Sequence, residues 1–169
     1  MRRGLALLAA ALLSGCYPEL DWREFSSPAG RFAVLLPGKP THASREVLLA
    51  GTTTQLEMFS VNVPGLAFGV GYADLPPGAA AAGAVAAGRA ALLRNIDGRI
   101  TAERALELPG TRGVEFEAVG TAQDKPMRLA ARVLVAGERY YQVVVVGRED
   151  RVGAADAALF LGSFKPLPP

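Results

Sequence analysis

A chain of 169 residues, half of them apolar, can bury one good core and is too short for two ordinary domains. Its 18 Lys and Arg outnumber its 16 Asp and Glu only by Arg2 and Arg3, which precede every acid. The rest of the chain is formally neutral, which argues against a nucleic-acid partner, because neutralising phosphates needs a basic excess.

The N-terminus reads as an address rather than as part of a fold. Arg2 and Arg3, an apolar run over residues 5–13 and the small Ser14 and Gly15 stand in the order of a secretory signal. Nine apolar residues rising about 1.5 Å each cover about half of a roughly 30 Å hydrocarbon core, too little for a stable span. The next residue, Cys16, is the only cysteine of the chain. Leu13-Ser14-Gly15-Cys16 resembles the lipobox of bacterial lipoproteins, in which a leucine and two small residues precede the cysteine.

That resemblance implies cleavage between Gly15 and Cys16, a diacylglyceryl thioether on Cys16 and acylation of the new amino group. One acyl chain holds a protein weakly, whereas two or three make a durable membrane anchor. By the same resemblance, Tyr17 in place of an aspartate after the cysteine favours the outer membrane, facing the periplasm, in a cell with two membranes. The alternatives are a signal peptide cut elsewhere, or a structural cysteine in an ordinary helix. The expected division is a signal peptide over residues 1–15, a lipidated tether over 16–23 and a single domain over 24–169. Within the tether, Trp22 either rests among lipid headgroups or packs on the domain.

Beyond the tether the dominant pattern is period-two alternation broken by turn residues, the signature of strands. Residues 31–36 form the first, between the turn at 27–30 and Pro37-Gly38. Strands over 45–49 and 53–63 are joined by Ala50-Gly51, a tight hairpin. The strand over 67–73 carries Gly69 and Gly71, which either weaken it or mark close packing against another element. The alanine-rich stretch 78–96 predicts a helix whose inward stripe is Val85, Leu92 and Ile96, with Ala81 and Gly88 permitting close approach to a sheet.

The later strands alternate more cleanly. Val114, Phe116 and Ala118 oppose Glu115 and Glu117, and Leu129, Ala131, Val133 and Val135 oppose Arg128 and Arg132, so this part of the sheet is expected to have one buried and one wet face. Residues 140–146, YYQVVVV, are apolar on both faces and predict a central, doubly covered strand, entered through a turn at Gly137-Glu138. A second helix is expected over 151–161 with Val152, Ala155, Leu159 and Phe160 inward. Short connections favour antiparallel pairing, so the fold class is α+β, a mainly antiparallel sheet with one or two packed helices.

Residues 25–37, FSSPAGRFAVLLP, are similar to the opening hairpin of PsbP-like and Mog1-like domains. The ending resembles the way such domains close: residues 140–146, a helix, then Phe160-Leu161-Gly162-Ser163-Phe164. The resemblance implies an antiparallel sheet sandwiched by helices, used for docking and assembly, and it carries no catalytic residue to this sequence.

Chemistry-bearing groups are few. With Cys16 acylated and His42 the only histidine, a Cys/His nucleophile pair and thiolate metal sites are excluded. No Gly-x-Ser-x-Gly elbow accompanies His42, which is expected in an exposed loop. Glu115 and Glu117 have the spacing of paired carboxylates, but also that of a solvated strand face. Gly83 and Gly88 lack the lysine and the position of a phosphate loop. The expectation is therefore a non-catalytic envelope lipoprotein with neither metal nor cofactor, bound to the membrane through its lipid and to an unidentified envelope protein. A carrier of a small ligand, held between sheet and helix, is the alternative. A hydrolase of envelope polymers would have to rest on His42, Glu115 or Glu117.

Overall fold

In chain order the alternating segments become β1 (Arg23–Ser27), β2 (Phe32–Leu36), β3 (Thr41–Leu49), β4 (Thr52–Val63) and β5 (Leu66–Asp74). Helix α1 (Ala81–Arg94) leads to β6 (Arg99–Ala105), β7 (Thr111–Ala122), β8 (Lys125–Ala136) and β9 (Arg139–Arg148). Helix α2 (Ala154–Ser163) and β10 (Lys165–Pro166) follow. The computed structural model describes residues 20–168, so Gly15 and Cys16, the expected cleavage and lipidation site, lie outside the described residues.

Turn chemistry fixes the registers. Between β1 and β2 the Gly30 N–H donates to Ser27 Oγ at 3.0 Å and closes the turn. Ala50 and Gly51 have φ of 51° and 80°, the left-handed pair of a type I′ hairpin, and they hold β3 on β4 from Leu49 opposite Thr52 to Thr41 opposite Ser60.

Two meanders share the large sheet, whose order is β3-β4-β5-β9-β8-β7-β6 and whose pairs are all antiparallel. The chain runs from β3 at one edge to β5 near the middle, crosses along α1 to β6 at the far edge, and returns to pair β9 with β5. Helix α1 seals one face over Leu56, Phe116, Leu129 and Tyr140. The other face is sealed by α2 and by a small sheet of order β1-β2-β10, over Phe68, Leu134, Tyr141 and Val143. The α+β expectation therefore holds, and β9 is the doubly covered central strand that YYQVVVV predicts.

Local expectations fare unevenly. Strand β8 is not wet on one face: Ala130 and Leu134, on the side of Arg128 and Arg132, are buried in the core beneath the small sheet. Helix α1 buries Val85 and Leu92 as expected, with Ile96 buried just past its end. Helix α2 starts at Ala154 rather than 151, so a stripe counted from Val152 is out of phase. Ala157, Phe160 and Leu161 face inward, while Ala155 is exposed and Leu159 is 44% exposed.

Packing also begins earlier than the expected tether boundary. Leu20 and Trp22 lie against the core, and the Trp22 ring meets Phe68 edge-on with centroids 5.6 Å apart. Of the two places open to Trp22, it takes the one on the domain. Among the described residues no helix is long and apolar enough to cross a membrane.

Candidate functional site

The groups singled out for catalysis are far apart. His42 lies not in a loop but on β3, where Nε2 is 2.7 Å from Glu57 Oε2 and the ring stacks on Phe59. Ser44 Oγ also donates to Glu57, at 2.9 Å. Serine and histidine thus share a carboxylate instead of bonding to each other, so His42 does not activate the Ser44 hydroxyl. Glu115 and Glu117 are on β7, five strands along the sheet from β3, or about 24 Å at the usual strand spacing.

Glu115 is held by cations rather than poised as an acid. Arg132 Nε donates to Oε2 at 2.5 Å, and Arg104 donates to Oε1 at 2.8 Å and 3.1 Å. Partial burial pushes this carboxyl up, but the hydrogen bonds and charges of Arg132 and Arg104 outweigh it and hold it below its ordinary value. A general acid needs the opposite shift. Among the described residues no three His, Cys, Asp or Glu side chains come together as a metal site.

A polar pocket lies where the sequence offers no motif. Between the second half of α1 and the strands β3, β4 and β9 is a cleft of about 290 Å³, walled by Val47, Leu56 and Leu92, with Arg45 and Arg94 among its lining. Its floor is Tyr140 and Gln142, exposed by 0% and 5%. The Tyr140 hydroxyl donates to Gln142 Oε1 at 3.0 Å, and Gln142 Nε2 donates to the Met58 thioether at 3.4 Å. Burial holds the Tyr140 hydroxyl protonated far above its ordinary range, with the nearby Arg45 charge opposing.

Two glycines create this floor. A Cβ at Gly88 of α1 would collide with Tyr140 Oη, and one at Gly71 of β5 would collide with Met58 Sδ. The sequence held one usable signal, the lone Gln142 in an otherwise apolar central strand. A larger concavity of about 750 Å³ lies at one end of the molecule, beside Arg31, Arg139 and Lys165. There Arg139 is already committed to Asp74 and to the carbonyl of Ala29.

The two edges of the large sheet differ. On β6 the register shifts between Ile100 and Ala102, and Arg99, Glu103 and Arg104 are exposed, which blunts pairing. On β3 the register is unbroken, and Leu48 is 65% exposed. Because Leu49 and Thr52 close a two-residue hairpin, Leu49 and alternate residues before it bond to β4. The backbone N–H and C=O groups of His42, Ser44, Glu46 and Leu48 therefore point away from the sheet.

No family model matches the chain, and no curated protein matches it. Among solved structures it is similar to the solution structure of cyanobacterial PsbP (CyanoP) from Synechocystis sp. PCC 6803. The identity is 12% and the TM-score 0.60, over 90% of this chain and 95% of that one. At that identity the likeness speaks to architecture alone: the chain has a PsbP-like α+β fold.

Proposed function

We propose that this chain is a bacterial envelope lipoprotein, held by acyl chains on Cys16 on the non-cytoplasmic side of a membrane, whose domain is non-catalytic and binds a protein partner. The carrying observation is the order of parts: a positive start, nine apolar residues, Ser14-Gly15-Cys16, and then a packed domain. Only Tyr17, Pro18 and Glu19 separate Cys16 from Leu20, the first described residue, which packs on the core. Four steps of chain reach about 14 Å, which keeps the domain against the bilayer. Tyr17 supports the outer membrane, facing the periplasm, where two membranes exist.

The outer edge of β3, which no strand covers among the described residues, supports protein binding, because an extended segment of a partner adds to such an edge as a further strand. Metabolic labelling with palmitate tests the anchor. Label on the wild type and release of Cys16→Ala into the soluble fraction are expected; an unlabelled wild type refutes the lipoprotein reading. Glu46→Pro tests the edge by removing an outward N–H while leaving the ladder to β4 intact. It should abolish a photo-crosslink from position 48 to a membrane protein while leaving the unfolding temperature within a few degrees of wild type.

The second reading is a carrier of a small ligand. The cleft beneath α1 favours it, since a buried amide and two arginines are an unusual lining for a merely structural gap.

A further inference from the structure

The cleft under α1 has a charge imbalance that the fold does not resolve. Among the described residues neither Arg45 nor Arg94 has a hydrogen-bond or ion-pair partner, whereas Arg104, Arg128, Arg132, Arg139 and Arg148 of the large sheet and Arg89 of α1 each meet a carboxylate. No Asp or Glu lines the cleft. Two guanidiniums bordering one small space repel each other, and each offers a planar fork that fits a carboxylate. The amide nitrogen of the buried Gln142 donates only to a thioether, a weak acceptor, so this donor too gains from an anionic oxygen. The remaining wall is apolar, from Val47, Leu56 and Leu92.

We propose that this cleft binds a small monocarboxylate with an apolar body, its head between Arg45 and Arg94 within reach of the Gln142 amide, and its body against the apolar wall. The inference rests on the second reading above, that the cleft is a ligand site, and it is independent of the anchor and of the β3 edge. Each feature of the site excludes a class. The absence of a carboxylate disfavours cations, and about 290 Å³ lies just below the usual range for drug-sized ligands, roughly 300–1,000 Å³. Inorganic phosphate would satisfy the arginines but leave the apolar wall wet. A neutral amide would cover the wall and leave the arginines unpaired.

Hexanoate is the probe, with hexanamide and inorganic phosphate as controls, titrated into the ¹⁵N-labelled full-length chain. The resonances followed are the Gly88 backbone and the Gln142 side-chain amide. Hexanoate should shift both, and hexanamide and phosphate should bind at least about tenfold more weakly. Arg45→Gln and Arg94→Gln, both at exposed positions, should each weaken hexanoate by about tenfold without changing the unfolding temperature. If hexanamide binds as well as hexanoate, or the arginine variants bind it undiminished, the carboxylate assignment is overturned while the ligand-site reading stands. If no probe shifts either resonance at millimolar concentration, both are overturned.

Discussion

Gly88 faces the Tyr140 hydroxyl with no room for a methyl group, so the seating of α1 depends on one missing atom. Overpacking of this kind costs about 1–3 kcal/mol. Gly88→Ala should therefore lower stability by that amount in urea unfolding, against the usual gain from alanine in a helix, whereas Gly83→Ala, which meets only ordinary contacts, should not. Glu115 makes a second residue-scale test. Its carboxyl is about one-fifth exposed and Arg132 less, so this pair counts for more than the outer one with Arg104.

Glu115→Gln should cost about 1–2 kcal/mol near neutral pH. Because the folded carboxyl titrates below its ordinary 4.5, its contribution is present above that pH and is lost as the pH falls through the lowered folded value. The gap between the variant and the wild type should therefore shrink as the pH is lowered below 4.5, as read by denaturant midpoints at neutral and at acid pH. His42 was legible as a residue but not in its setting: the polar stretch around it reads as a loop, and only pairing with β4 draws it into a strand.

Among the elements, those that carry their own periodicity were legible and those defined by neighbours were not. Strand β9 announces itself through four consecutive valines, and α1 through its alanines. Strand β6 is exposed along nearly its whole length, so it has no apolar alternation to read, and it exists because β7 supplies a ladder. Strand β10 is two residues that complete a sheet begun far earlier in sequence. Helix α2 was legible as a helix but not in phase, since Val152 is buried before the helix begins. Phe160→Ala should cost about 3–5 kcal/mol, whereas Leu159→Lys should change stability by no more than about 0.5 kcal/mol. Equal losses for the two would invert the observed face. The cleft was hardly legible at all, because Arg45, Arg94, Tyr140 and Gln142 come from three elements that only the fold brings together.

At the scale of the molecule, one large sheet with both faces covered puts the half-apolar composition to use. Each cover has its own character. The α1 side is mostly aliphatic around Phe116 and the polar floor of Tyr140 and Gln142; the opposite side is aromatic, with Phe32 close to Phe25, Phe59, Tyr141 and Phe164. The small sheet that closes the aromatic side places β2 between β1 and β10, and the Leu167 N–H donates to the carbonyl of Arg31 at 2.7 Å. Its third strand is the last of the described elements in chain order, so a nascent chain in which residues 165–166 have not yet emerged has its aromatic layer unsealed along one side of β2.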